Sequence, residues 1–356
     1  MSDAVSALPG AVVEKGVLVH LGSPLREQRA LADGTAVAPL ASRAVLAVTG
    51  PDRLTWLDSI TSQALAALAP GESTELLVLD PQGHVEHAAA VVDDGDTAWL
   101  IVDRSRADAL LTFLTRMRFR LRVDPRDASD THRVVGGTRA AIAGVEGADL
   151  VWRDPWPHVA AGGWGYAAVD PHPGAGRDWA EAIVDVDAFE RLLASGAPLA
   201  GELAADALRV AAWRPRAERE ADGRALPHEV DWLRTAVHLD KGCYRGQETV
   251  AKVHNLGHPP RRLVLLQLDG SESSLPEPGA EVSAGGEVVG AVTSAARHFE
   301  EGPIALALVK RTVDVDAALT VATADGDVAA AQETIVPPDA GRTAAVPRLP
   351  RLSRRR

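Results

Sequence analysis

The sequence predicts an α+β protein that ends in a small all-β barrel. Three observations carry this. Residues 44–124 follow the order strand, helix, strands, helix, strand, which is the order of a ferredoxin-like α+β layer. From residue 261 the pattern becomes short strands and Gly turns only, the signature of a small barrel. The length, 356 residues, exceeds one ordinary core, so two or three domains are expected.

AVLAVTG (44–50) is a continuous apolar run and reads as a buried strand. Thr49-Gly50-Pro51-Asp52 starts a helix, with Pro51 near the first helical position. That helix places Leu54, Leu57, Ile60 and Leu65 at helical spacing. ELLVLD (75–80) is a strand, PQG a turn and HVEHAAAVV (84–92) a second strand. DDGD (93–96) turns the chain into TAWLIVD (97–103). A helix from about Ser105 to Phe119 carries Leu110, Leu111, Leu114 and Met117 on one face, and RLRVD (120–124) closes the unit as a strand. Residues 133–170 read as short strands with Gly turns, followed by helices at 186–195 and 202–213. GQETVAKVHNLG (246–257) predicts a short helix with Gln247, Val250, Ala251 and His254 on one face and Gly257 as its C-cap. Pro259-Pro260 marks a boundary before six barrel strands.

Hydrophobic residues make up 46% and charged residues 24%, as in an ordinary globular protein. The net charge of −12 argues against wide nucleic-acid binding, so no direct nucleic-acid contact is expected. One cysteine excludes an internal disulfide, a zinc ribbon and a four-thiolate cluster, so no metal is expected to be held by this chain alone. It also fits a reducing compartment. MSDAVSALPG lacks the basic start and apolar run of a signal peptide. No apolar run approaches the length of a membrane span, and a cytoplasmic protein without membrane contact is expected. The closing PRLPRLSRRR reads as a disordered basic tail.

The chemistry concentrates in DKGCYRGQE (240–248), which holds the only cysteine and one of four lysines. Gly242 and Gly246 bracket Cys243 and permit close approach of a ligand or another strand. Lys241, Arg245 and a helix starting just downstream would all favour the thiolate. The alternative is a small core residue on a tight turn. Gln247-Glu248 reads either as a polar clamp on a heterocycle or as the exposed first turn of a helix. In His84-Val85-Glu86-His87, strand alternation splits the three metal-capable side chains between two faces, which disfavours a metal site. Trp152, Trp156, Trp164 and Trp179 could wall a flat aromatic ligand or simply fill a core poor in Phe and Tyr. No phosphate-binding GxxxxGK[ST] loop is present.

KGCYRGQE resembles the K-G-C-[FY]-x-G-Q-E signature of the YgfZ family, folate-binding relatives of the glycine-cleavage T-protein. Residues 201–230, with an A-L-R helix, R-P-R and P-x-E, are similar to another of its segments. So are VVGAVTSAA (288–296) and DRLTWLDSITSQ (52–63). The resemblance implies two intertwined α+β domains around a central folate site, plus the C-terminal barrel. The boundaries expected are 1–130, 131–258, 259–335 and a disordered tail 336–356. It implies a tetrahydrofolate-binding accessory for assembly or repair of iron–sulfur enzymes, including those that modify tRNA. Reduced folate and iron–sulfur client enzymes are then the partners. Cys243 and Lys241 become the candidate reactive pair. Gly242, Tyr244, Arg245, Gly246, Gln247, Glu248, Arg209 and Glu229 become candidate folate neighbours, and bound folate would shield the thiol. Two alternatives stand beside this: an active folate-dependent one-carbon transferase, and a non-catalytic adaptor with a vestigial pocket. The T-protein carries an acidic pair where Gly83-His84-Val85-Glu86-His87-Ala88 stands here, and its G-Y-T-G-E segment is missing near Gly163-Trp164-Gly165-Tyr166-Ala167. Ordinary aminomethyltransferase activity is therefore not expected.

Overall fold

The computed structural model describes residues 2–167, 169–270 and 274–344. Strands Arg43–Thr49, Ser73–Leu79, Val85–Asp93, Thr97–Asp103 and Asp124–Asp127 form one five-stranded antiparallel sheet. Helices Arg53–Ile60 and Ala107–Met117 cover its outer face through Leu57, Leu110 and Leu114. The second helix begins with one 3-10 turn, Arg104–Arg106. The strand expected at 120–124 begins only at Asp124. The ladder ends where Thr49 pairs with Asp124, so residues 118–122 run past the end of Arg43–Thr49 with no strand beside them.

Strands His132–Thr138, Leu150–Arg153 and Trp179–Asp185 form the second sheet, and Ala38–Pro39, from far upstream, completes it. The chain thus crosses between the sheets. Val45, Ala47 and Ile101 of the first sheet pack on Val134, Trp152 and Ile183 of the second.

From Arg261 six strands close into a barrel: Arg261–Leu268, Glu281–Ala284, Glu287–His298, Gly302–Lys310, Leu319–Thr323 and Gly326–Thr334. Alternation sends Val264, Leu266 and Val282 inward, while Leu263, Leu265 and Leu306 pack outward on Trp232, Leu233 and Val237. The structure corrects one expectation about the tail. Residues 336–344 are folded onto the body: the Val336 amide donates to the Leu263 carbonyl at 3.1 Å, and Val336 and Ala340 are buried core residues. The basic stretch from 345 lies outside the described residues.

Candidate functional site

A cleft with a cavity of about 50 Å³ lies between the two sheets. Glu75, Ala88, Ala90 and Asp103 line it from one side, Trp152, Trp179 and Glu181 from the other. The Arg214-Pro215-Arg216 turn, which follows helix Glu202–Ala211, closes one wall. Arg214 donates from Nη2 to Glu75 Oε2 at 2.7 Å and from Nε to Asp154 at 3.1 Å. Arg216 reaches Asp103 at 2.5 Å, and Arg43 reaches the same carboxylate at 2.8 Å. Burial raises the Asp103 pKa, but Arg216 and Arg43 more than offset it and hold the group at about 2. Burial likewise opposes ionisation of Asp154, and Arg214 and Arg177 outweigh it.

Among the described residues, two polar atoms in this lining are buried and have no hydrogen-bond partner: Glu75 Oε1 and Arg214 Nη1. One is an acceptor and the other a donor, on side chains already joined to each other. Trp152 and Trp179 add flat apolar surface, with Arg177 stacked 4.9 Å from the Trp179 ring. Their two companions lie elsewhere. Trp156 is fully buried and donates to the Ala212 carbonyl, and Trp164 is 43% exposed, edge-on to His254.

Among the residues singled out from the sequence as folate neighbours, Arg209 alone lines the cleft. It is buried and fully engaged: Nε to Asp206 at 2.7 Å, Nη1 to the Arg214 carbonyl at 2.7 Å, Nη2 to Ser294 Oγ at 2.7 Å. Glu220 accepts from Thr293 and Ser294, so the A-L-R helix and the V-T-S strand are matched halves of one buried network. Glu229 is wholly buried and binds the Arg261 backbone amide and guanidinium, tying its turn to the first barrel strand. Both residues hold the barrel against the body.

Segment 240–248 is mostly a joint. The Lys241 ammonium donates to the carbonyls of Asp58, Thr61 (3.0 Å) and Gln63 (2.7 Å) and lies 3.5 Å from the Asp58 carboxylate. It closes the C-terminal end of helix Arg53–Ile60, where free carbonyls accumulate. Burial lowers its pKa, and Asp58 opposes that. The expected partnership with the thiolate is corrected accordingly: this cation is committed to carbonyl oxygens. Gly246 has φ +82, and a Cβ there would meet the Asp80 carbonyl at 2.6 Å and Gly83 Cα at 3.0 Å. The close approach that this glycine permits is to another stretch of backbone. Gly242 is exposed, with open space around it. Tyr244 is buried, 5.6 Å from the Lys241 ammonium, Gln247 reaches the Lys241 carbonyl at 3.4 Å, and Glu248 is exposed. Cys243 is exposed and lies three residues before Gly246, the cap of helix Gln247–Leu256, outside that helix's first turn. The core-residue reading of this cysteine does not hold.

Arg245 pairs with Glu86 at 2.7 Å in a separate groove that His87, Arg106 and Phe113 also line. A β-bulge explains why. Leu79 pairs with Val85 and Val78 with His87, leaving Glu86 as an extra residue, so the expected split of Glu86 and His87 between faces fails. His84 instead bonds Asp80 at 2.8 Å. Burial and, less, Arg106 lower the His87 pKa to about 4, so it is neutral near pH 7.

Sequence reasoning missed Glu75, Asp103, Asp154 and Arg214. The available signal was charge in the wrong place: Glu75 within an apolar strand opposite Ala90, and two arginines flanking Pro215 directly after a helix.

Residues 261–337 match the glycine cleavage T-protein C-terminal barrel domain. The chain is 28% identical over 282 residues to the mitochondrial iron-sulfur cluster assembly factor IBA57 homolog of Aspergillus clavatus, covering 69% of this chain and 60% of that protein. It is 36% identical over 127 residues to the mitochondrial iron-sulfur cluster assembly factor IBA57 of Mus musculus, covering 35% and 33%. An aminomethyltransferase of Streptomyces avermitilis is 26% identical over 308 residues, with 82% of each chain covered. The chain spans 24% of a chloroplastic relative from Arabidopsis thaliana and, as above, three fifths of the Aspergillus protein. The crystal structure of glycine cleavage system aminomethyltransferase T from Bartonella henselae superposes with a TM-score of 0.69 at 16% identity, over 92% of this chain and 93% of that one, a likeness of fold. With a T-protein barrel over residues 261–337, this architecture and relatives of both kinds, the chain is similar to the YgfZ and T-protein-like proteins.

Proposed function

We propose that the chain binds a reduced folate, tetrahydrofolate or a one-carbon derivative, in the cleft between the sheets and serves as an accessory in assembly or repair of iron–sulfur enzymes. The observation that carries the ligand is the pair of unpartnered atoms, Glu75 Oε1 and Arg214 Nη1. A pterin edge offers N–H donors beside a carbonyl acceptor, the complement of a free carboxylate oxygen and a free guanidinium N–H. Trp152 and Trp179 supply flat surface for the ring. The iron–sulfur half rests on the two IBA57 relatives, named as assembly factors. Clients that modify tRNA and a reducing, cytoplasmic setting belong to the same reading.

One-carbon transfer is the weaker reading. The strand that would carry the acidic pair presents Ala88, Ala89 and Ala90 to the cleft, and the carboxylates present, Asp103 and Asp154 among them, are held in ion pairs by arginines. Loss of a positioned acid or base costs ~10²–10⁴-fold in rate.

Titration with tetrahydrofolate under nitrogen tests the proposal. Tryptophan fluorescence should be quenched saturably, and Glu75→Gln, which keeps the shape but loses the anionic acceptor, should weaken binding about tenfold or more. A flat calorimetric titration up to about millimolar ligand overturns it and leaves the adaptor reading. Turnover with an amine donor at rates near an authentic T-protein would favour the transferase.

A further inference from the structure

Residues 116–122 read Arg-Met-Arg-Phe-Arg-Leu-Arg, four arginines alternating with three apolar residues in a chain of net charge −12. All four arginines are exposed. Phe119 is 80% exposed and Leu121 45%. Phe119 also has φ +43, in the left-handed region that a bulky side chain enters only at a steric cost. An exposed phenylalanine in that conformation has neither burial nor backbone preference to account for it.

The loop is built to hold this shape. Trp56 Nε1 donates to the Met117 carbonyl at 3.1 Å, and the Leu121 amide closes a turn on the Arg118 carbonyl at 2.9 Å. Asp52 binds both the Arg122 backbone amide (2.9 Å) and its guanidinium (2.6 Å). Gly50, at φ +110, lets the Arg122 carbonyl pass where a Cβ would collide with it. Among the described residues, the Arg118 guanidinium meets one partner, Asp124, in an exposed 3.5 Å contact. The result is a shallow, open surface lined by Arg118, Phe119, Arg120, Leu121 and Arg122, with the Asp124 carboxylate also on it.

We propose that this loop is a docking surface for an acidic, apolar-bearing segment of another protein. Arginine forks match carboxylates, and Phe119 and Leu121 match apolar side chains placed between them. The net charge of −12 selects this partner over RNA or an anionic membrane. Those present extended negative surfaces that the rest of the chain repels, whereas a short acidic segment meets a stretch in which four arginines outnumber Asp52 and Asp124. The surface does not depend on folate binding in the cleft.

The test is fluorescence anisotropy on the full chain with a labelled peptide of repeated Glu-Glu-Leu triplets. Its controls are a Gln-Gln-Leu peptide, single-stranded RNA, and vesicles of phosphatidylglycerol with phosphatidylcholine. The acidic peptide should bind with a Kd of about 10–100 µM and weaken as salt rises. Phe119→Ser and the pair Arg118→Gln with Arg120→Gln should each weaken it about tenfold. Phe119→Gly separates recognition from folding. It should weaken binding as Phe119→Ser does while Tm holds or rises by up to about 4 °C, because the left-handed position suits glycine. The proposal is overturned if the acidic peptide does not bind, if the neutral peptide binds equally, if RNA or vesicles bind more tightly, or if the variants bind unchanged.

Discussion

The cleft between the sheets and segment 240–248 carry charge in opposite ways. In the cleft, Arg214 is buried and Arg216 half-buried among Glu75, Asp103 and Asp154, and two atoms keep spare hydrogen-bonding capacity. In the segment, Lys241 is consumed by three carbonyls and Gly246 by a backbone contact, and the thiol of Cys243 is left exposed. The difference teaches that a conspicuous motif need not be the binding surface. Most of KGCYRGQE holds a joint in place, while the groups able to grip a ligand are scattered between residues 75 and 216.

Removing a cation from the cleft should have the largest effect. Arg214→Ala leaves the Glu75 and Asp154 carboxylates buried without their shared guanidinium. Loss of one partner of a buried ion pair costs about 3–5 kcal/mol, so urea unfolding should show a loss of that size. A change under about 1 kcal/mol would mean that water reaches the cleft and screens it.

Next comes the joint. Gly246→Ala forces a Cβ into the Asp80 carbonyl at φ +82, and it should cost about 2–3 kcal/mol. Gly242→Ala, in the same octamer, meets nothing within 4 Å and should be near neutral or slightly stabilising. Equal effects at the two glycines would show that the octamer does not divide into a packed half and an open half.

The fold was largely legible because its signals are local. The six barrel strands and the helices near 186, 202 and 247 follow from period and Gly punctuation. The loop at 118–122 was misread because its Arg-apolar alternation has the period of a strand, and only the end of its neighbour shows that it has no partner. The bulge at Glu86 was hidden for the converse reason: one extra residue shifts the faces without altering composition. The cleft ion pairs join positions 139 residues apart, as in Glu75 with Arg214, and no spacing rule reaches that far.

A pH series sharpens the cleft side. Asp103 has a folded pKa of about 2, below its ordinary 3.8, so its contribution to stability is full above about pH 4. It is lost as pH falls through the folded value. Over that window the depression corresponds to about 2 kcal/mol. Arg216→Gln should flatten this part of the acid limb, with stability followed by urea unfolding at each pH. If the wild type and the variant lose stability in parallel between about pH 4 and 2, the Arg216–Asp103 pair does not contribute.

The smallest stability effect belongs to Cys243. Its side chain is exposed, so Cys243→Ser should change stability by less than about 0.5 kcal/mol. Its reactivity is then the informative quantity. Neither Cys243 nor its immediate neighbours line the cleft, and Lys241 is bound to carbonyls instead of supporting the sulfur. Native alkylation should therefore be fast and change less than about twofold with saturating tetrahydrofolate. A folate-protected thiol would move the ligand next to the octamer and away from Glu75. If alkylation is indifferent to folate, the exposed sulfur acts apart from the folate cleft, on whatever the surface brings to it.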